Sequence, residues 1–217
     1  MEAVIFDMDG VLFDTERLYM DGWIQVAKKR GIGEMEEVAS RCIGLNSNDT
    51  RHLMLEYYGR DFAYEEVRTA VSTWVKTRIK IYGLPMKPGV NKILAYLQQN
   101  GVLVGLASST SYQSVLHHLK SAGIIDYFRV IVTGDMIEHS KPQPDIYLLA
   151  CRKLGVTPQE AFAIEDSPNG IRAAHSAGVR AIMVPDLIEP DEELRRLCFR
   201  VFTDLTETMR FLQEQER

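Results

Sequence analysis

Short apolar runs that give way to polar tips, with helix-length amphipathic stretches between them, constrain this chain more than any other feature. Ala3-Val4-Ile5-Phe6 stops at Asp7, and similar runs follow at Val102-Leu103-Val104-Gly105-Leu106-Ala107, Val130-Ile131-Val132, Ala161-Phe162-Ala163-Ile164 and Ala181-Ile182-Met183-Val184. Continuous rather than alternating apolar residues predict strands buried on both faces. A short Val201-Phe202 is expected to add an edge strand. Between these runs the apolar positions change period. Val90, Ile93, Leu94 and Leu97 fall at i, i+3, i+4 and i+7, the stripe of an amphipathic helix. Val115, Leu116 and Leu119, then Ile146, Leu149, Ala150 and Leu154, repeat it, and Ile171 with Ala174 mark a shorter helix. Strands alternating with such helices predict βαβ units and a doubly wound parallel sheet of the α/β class.

One segment breaks the alternation. From 15 to 82 there is only helical pattern, around Trp23, Val26 and Ala27, then Leu53, Leu55 and Tyr58, then Val67, Val71, Trp74, Val75 and Ile79. A block of helices inserted after the first strand predicts a separate all-helical domain at 15–82, with an α/β core formed by 1–14 and 83–217. Pro85 and Pro88 mark the return to the core. The two crossings, near Phe13 to Glu16 and near Gly83 to Pro88, are expected to act as hinges.

Bulk properties narrow the function classes. A formal charge of -5 argues against nucleic acid or anionic lipid as a main partner, because both require a surplus of Lys and Arg. The three cysteines, Cys42, Cys151 and Cys198, are scattered and form no CxxC pair, so neither a disulfide framework nor a zinc site is expected. No apolar run approaches membrane-spanning length, and Met1 leads straight into a strand with no basic leader. A cytoplasmic monomer acting on a small molecule is expected.

Parallel doubly wound sheets bind ligands at the carboxyl ends of their strands. The first strand delivers Asp7-Met8-Asp9-Gly10 there, the second Ser108-Ser109-Thr110 and the fourth Glu165-Asp166-Ser167; Ser140-Lys141-Pro142 follows the third. Residues two apart on a strand point the same way, so Asp7 and Asp9 are expected to face one crevice. With Asp166 they would form a hard, all-oxygen site suited to Mg²⁺. Such a site lets Asp7 attack phosphorus as a nucleophile while Asp9 serves as general acid and then as base. Lys141 and Ser108, with the adjacent Ser109, are the candidates for holding the phosphate oxygens. Any one of these residues alone is an ordinary cap or turn residue. Their order at successive strand ends gives the set its weight.

Those residues also carry a resemblance. The stretch from Phe6 to Glu16, with Asp7-Met8-Asp9-Gly10 at its centre, looks like the first motif of the haloacid dehalogenase superfamily. Leu106-Ala107-Ser108 resembles the second, Lys141-Pro142-x-Pro144-Asp145 the third, and Ile164-Glu165-Asp166-Ser167-x-x-Gly170 the fourth. The resemblance implies a Rossmann-like core with a helical cap after the first strand. It implies that Asp7 is nucleophile and metal ligand, that Asp9 is acid/base and binds the metal through its carbonyl, and that Asp166 is a ligand. It further implies that Glu165 supports the metal through water and that Ser108 and Lys141 bind phosphate. An aspartate at position 9 marks the phosphotransferases of the superfamily.

The subgroup resembled most is that of β-phosphoglucomutase and related sugar-phosphate phosphatases, so a phosphatase of a small phosphorylated metabolite is expected. A phosphosugar mutase is the alternative. In the mutases a cap-loop arginine grips the idle phosphate, and the loop Gly44-Leu45-Asn46-Ser47-Asn48-Asp49 carries no Lys or Arg; Tyr19 stands where they carry a histidine. A phospho-acceptor switch is disfavoured, because receiver domains place the accepting aspartate on a middle strand, and a non-catalytic binding protein is disfavoured because the acidic and basic set is intact.

Overall fold

The computed structural model describes residues 1–43 and 47–215; the side chain of Ser47 and residues 44–46, 216 and 217 lie outside the description. Among the described residues six strands form one sheet: β1 (Ala3–Phe6), β2 (Leu103–Ser108), β3 (Val130–Thr133), β4 (Ala161–Glu165), β5 (Arg180–Met183) and β6 (Arg200–Val201). All pair in parallel, in the spatial order β3-β2-β1-β4-β5-β6. The edge strand expected at Val201-Phe202 begins one residue earlier, because Arg200 pairs with Ile182 and Val201 with Met183.

The chain divides into two compact units, one of Met1–Phe13 with Met86–Arg217 and the other of Asp14–Pro85. In the first, the continuous apolar runs supply both faces of the sheet. Side chains alternate across a strand, so Ala3, Ile5, Ala161, Ala163, Ala181 and Met183 share one face. That face packs on α7 (Asp145–Leu154), α8 (Pro168–Ser176) and α9 (Glu192–Leu197) through Ile146, Ala150, Ile171, Ala174 and Leu194. On the other face Phe162 meets Phe211 of α10 (Leu205–Glu214) edge-on at 6.0 Å. There α5 (Val90–Gln99) buries Ile93, Leu94 and Leu97, the residues of its predicted stripe. α6 (Tyr112–Ser121) buries Val115 and Leu119.

Local signals start these helices. Asp191, Ser167 and Asp204 each accept from backbone N–H groups at the N-termini of α9, α8 and α10, satisfying donors that have no partner within the helix. Pro168 at the first helical position of α8 costs nothing there, since its missing N–H would be unpaired in any case.

The second unit holds α1 (Thr15–Arg30), α2 (Met35–Ser40), α3 (Ser47–Tyr58) and α4 (Tyr64–Tyr82). Val26 of α1 packs with Val67, Val71 and Val75 of α4, with Trp23 and Trp74 alongside. Gly22 lets the two helices approach, because a Cβ there would stand 3.1 Å from Val71 and 3.2 Å from Val75. The sequence pattern marked three helices in this block; α2 was missed because a helix of six residues is too short to show a period. Among the described residues no helix is long and apolar enough to cross a membrane.

Candidate active site

The order of the sheet brings distant parts of the chain together. β1 lies between β2 and β4, and Phe6, its last residue, is level with Leu106 and Ile164. Asp7 follows, and its N–H donates to the Ile164 carbonyl at 2.9 Å. The strand pairing therefore extends to Asp7 and fixes its backbone.

Lys141 enters from the loop between β3 and α7. Its Nζ donates to Asp7 Oδ1 at 2.6 Å, to Glu165 Oε1 at 2.6 Å and to the Ala107 carbonyl at 3.0 Å. An ammonium has three hydrogens, so each has a partner. Asp7, Lys141 and Glu165 are all at least nine-tenths buried, and charges removed this far from water persist only when paired and hydrogen-bonded.

Glu165 is the most heavily coordinated acid of the set. Its Oε1 also accepts from the Tyr147 hydroxyl at 2.6 Å. Its Oε2 accepts from the N–H groups of Asp166 and Ser167 at 3.2 and 3.4 Å and from the Ser167 hydroxyl at 3.2 Å. Two close approaches depend on glycine. A Cβ on Gly170 would lie 1.9–2.1 Å from the Glu165 carboxylate, and one on Gly10, whose φ is +80°, would lie 2.1 Å from Asp166 Oδ2. Both carboxylates thus sit against bare backbone.

Burial pushes the Asp7 carboxyl well above the ordinary carboxylate range; Lys141 opposes the rise, and Glu165 and Asp9 add to it. Burial would lower the Lys141 ammonium, but Asp7 and Glu165 outweigh it and hold its pKa above the usual lysine value. Burial, then the charges of Glu165 and Asp7, raise the Tyr147 phenol well above its ordinary value, so it stays a hydrogen-bond donor.

Asp7, Glu165 and Asp166 can each bring an oxygen within 4.8 Å of the others. Three carboxylates against one ammonium leave two negative charges in a buried site, which a divalent cation would balance. The donors are hard oxygens, as Mg²⁺ and its relatives prefer. The residues present therefore fit such an ion.

The sequence-predicted residues fall into three groups. Asp7, Lys141, Glu165 and Asp166 converge as described. Ser108 ends β2 fully buried, its Oγ accepting from the Thr110 N–H at 3.1 Å, while Ser109 is exposed in the same loop. Asp9 behaves differently from a strand residue. β1 ends at Phe6, and Asp9 belongs to a turn closed by Gly10 N–H to the Phe13 carbonyl (2.8 Å) and Leu12 N–H to the Met8 carbonyl (2.9 Å). Its carboxylate accepts from Thr110 Oγ1 at 2.8 Å, so the two-residue alternation invoked for Asp7 and Asp9 does not operate there.

In the helical unit Tyr19 is exposed on α1. Of the loop at 44–49, positions 44–46 and the Ser47 side chain lie outside the described residues. Sequence reasoning missed Tyr147 and Thr110. Tyr147 resembles a core aromatic of α7, and only its polar tip hinted at a partner. Thr110 looked like part of an ordinary helix-start cluster.

Comparison with known proteins accords with this geometry. Residues 4–184 match the profile of the family described as haloacid dehalogenase-like hydrolase. A "Phosphorylated carbohydrates phosphatase" of Thermotoga maritima is 36% identical over 182 residues, 84% of each chain. A "Beta-phosphoglucomutase" of Bacillus subtilis is 32% identical over 190 residues, 85% of this chain and 83% of that protein. A crystal structure of β-phosphoglucomutase from Clostridium difficile superposes with a TM-score of 0.78 at 26% identity, covering 99% of this chain and 96% of the other. The chain belongs to the haloacid dehalogenase-like hydrolase family, as a phosphatase-type enzyme with a Rossmann-like α/β core.

Proposed function

We propose that the protein is a magnesium-dependent phosphatase that hydrolyses a small phosphorylated carbohydrate through an aspartyl-phosphate on Asp7. The observation that carries this reading is the buried cluster in which one ammonium, Lys141, meets Asp7 and Glu165 beside Asp166. It joins a nucleophile, a phosphate-binding cation and a cation-binding acid set at one sheet edge.

In the first half-reaction an Asp7 carboxylate oxygen forms a bond to phosphorus and the ester P–O bond breaks. The departing oxygen takes a proton from the carboxyl of Asp9. In the second half, Asp9 accepts a proton from water as the water oxygen attacks phosphorus. The Asp7–phosphorus bond then breaks, releasing inorganic phosphate and restoring both aspartates. Ser108 holds a non-bridging oxygen, and Lys141 gives up its hydrogen bond to Asp7 as that carboxylate bonds to phosphorus and turns the N–H to the phosphate. Asp7, Asp166 and the Asp9 carbonyl would hold the metal ion, which when bound screens the phosphate charge and so admits an anionic nucleophile. Glu165, with both oxygens already accepting from protein donors, supports it indirectly. The helical unit is assigned the part of a cap that selects the organic portion of the substrate. A cytoplasmic monomer that leaves nucleic acid and membranes alone completes the reading.

The test is a screen of phosphorylated metabolites with Mg²⁺, read as phosphate release, with capture of a hydroxylamine-labile phospho-enzyme that Asp7→Asn abolishes. Full turnover by Asp7→Asn would refute the assignment. The likeness to the B. subtilis mutase supports a second reading, phosphosugar mutase. Incubation with β-glucose 1-phosphate and a trace of glucose 1,6-bisphosphate separates the two, because a mutase forms glucose 6-phosphate with little free phosphate.

A further inference from the structure

The side chain of Asp9 is oriented from another strand. Thr110 Oγ1, in the loop after β2, donates to Asp9 Oδ2 at 2.8 Å across 101 positions of sequence. We propose that Thr110 is a positioning residue for proton transfer. Its hydroxyl engages one oxygen of the Asp9 carboxylate and so sets the orientation in which that side chain gives and takes the proton. This inference rests on the acid/base part assigned to Asp9 above.

Three observations support it. First, the turn around Asp9 fixes its backbone through the Gly10 and Leu12 hydrogen bonds and the bridge between Asp9 and Phe13. The remaining freedom is in the two side-chain torsions, which the contact with Thr110 restrains. Second, Thr110 is itself held, since its N–H donates to Ser108 Oγ at 3.1 Å, and a β-branched side chain has few χ1 choices. One loop thereby ties the buried serine of the phosphate site to the acid/base. Third, Oδ2 remains an acceptor whether the carboxyl is ionised or protonated at its other oxygen. The Thr110 hydroxyl can therefore donate to it, and orient the side chain, in both half-reactions. Geometry of this kind matters steeply, because a misplacement of about 1 Å can cost on the order of 100-fold in rate.

The experiment compares Thr110→Val, Thr110→Ala, Thr110→Ser and Asp9→Asn with the wild type. It measures first-turnover release of phenol from phenyl phosphate and of p-nitrophenol from p-nitrophenyl phosphate with Mg²⁺. Phenolate needs a proton as it leaves and p-nitrophenolate does not. Thr110→Val and Thr110→Ala should slow phenol release roughly 10- to 100-fold. They should alter p-nitrophenol release and KM by less than about threefold, and Thr110→Ser should restore both. Asp9→Asn should show the same dependence on leaving group, more strongly. Equal losses on both esters, or no loss on either, in Thr110→Val and Thr110→Ala would overturn the assignment of Thr110 while leaving Asp9 in place. An Asp9→Asn enzyme indifferent to the leaving group would instead overturn the acid/base reading and this inference with it.

Discussion

Replacing Lys141 by methionine keeps the length and much of the volume of the side chain but removes the charge. Its three hydrogen bonds, to Asp7, Glu165 and the Ala107 carbonyl, span 2.6–3.0 Å, and the ion-paired side chains are 7%, 9% and 0% exposed for Lys141, Asp7 and Glu165. At that burial solvent screening is slight, so the pair is governed by the cost of stranding charge. Removing one partner of a buried pair costs about 3–5 kcal/mol. In a chain of this size each kcal/mol moves the midpoint by roughly 2–4 °C. The thermal midpoint of the α/β unit, measured at pH 7 in EDTA, should therefore fall by about 6–20 °C. Mg²⁺ should narrow the gap, because a cation beside Asp7 replaces part of the lost charge. Turnover should fall roughly 100- to 1000-fold, the loss typical of one donor aimed at developing negative charge. A midpoint within about 2 °C of wild type in EDTA would refute the argument that Lys141 stabilises two buried carboxylates.

Gly170→Ala should destabilise the fold by about 1–3 kcal/mol and depress turnover, since the added Cβ falls within 2.1 Å of a carboxylate that five donors hold in place; chemical denaturation and a rate assay check this. Exhaustive chelation should abolish phosphate release, and Mg²⁺ should restore it better than Ca²⁺, whose larger, looser coordination misaligns attack. The Thr133 hydroxyl and then the Tyr112 N–H hold the Asp135 carboxyl below its ordinary pKa. A carboxyl depressed in the folded state adds stability above its unfolded pKa of about 3.9 and loses it as the pH falls through the folded value. The melting difference between wild type and Asp135→Asn should thus be present at pH 7 and disappear in strong acid.

Much of this protein could be read along the chain, for a local reason. Whether a run is apolar throughout or apolar every third and fourth residue depends on near neighbours alone. The strands from Ala3, Leu103, Val130 and Ala161, the stripe of α5 and the helical block therefore show in the sequence. The polar tips Asp7, Ser108 and Glu165 were legible because each directly follows an apolar run, and Asp166 because it comes next after Glu165. Lys141 was legible through its place after the third strand and the Lys141-Pro142-x-Pro144-Asp145 resemblance.

Pairing belongs to the tertiary structure. That Lys141 reaches both Asp7 and Glu165, that Tyr147 meets the same Glu165 oxygen as Lys141, and that Thr110 meets Asp9 rather than a helix N-terminus are settled by the order of the sheet and the packing on it. These contacts join residues separated by 134, 24, 18 and 101 positions. The sequence set which residues arrive at the strand ends, through short-range burial and turn preferences. The sheet order then decided which charges share a volume without water, and in that volume a carboxylate becomes part of a site instead of the cap of a turn.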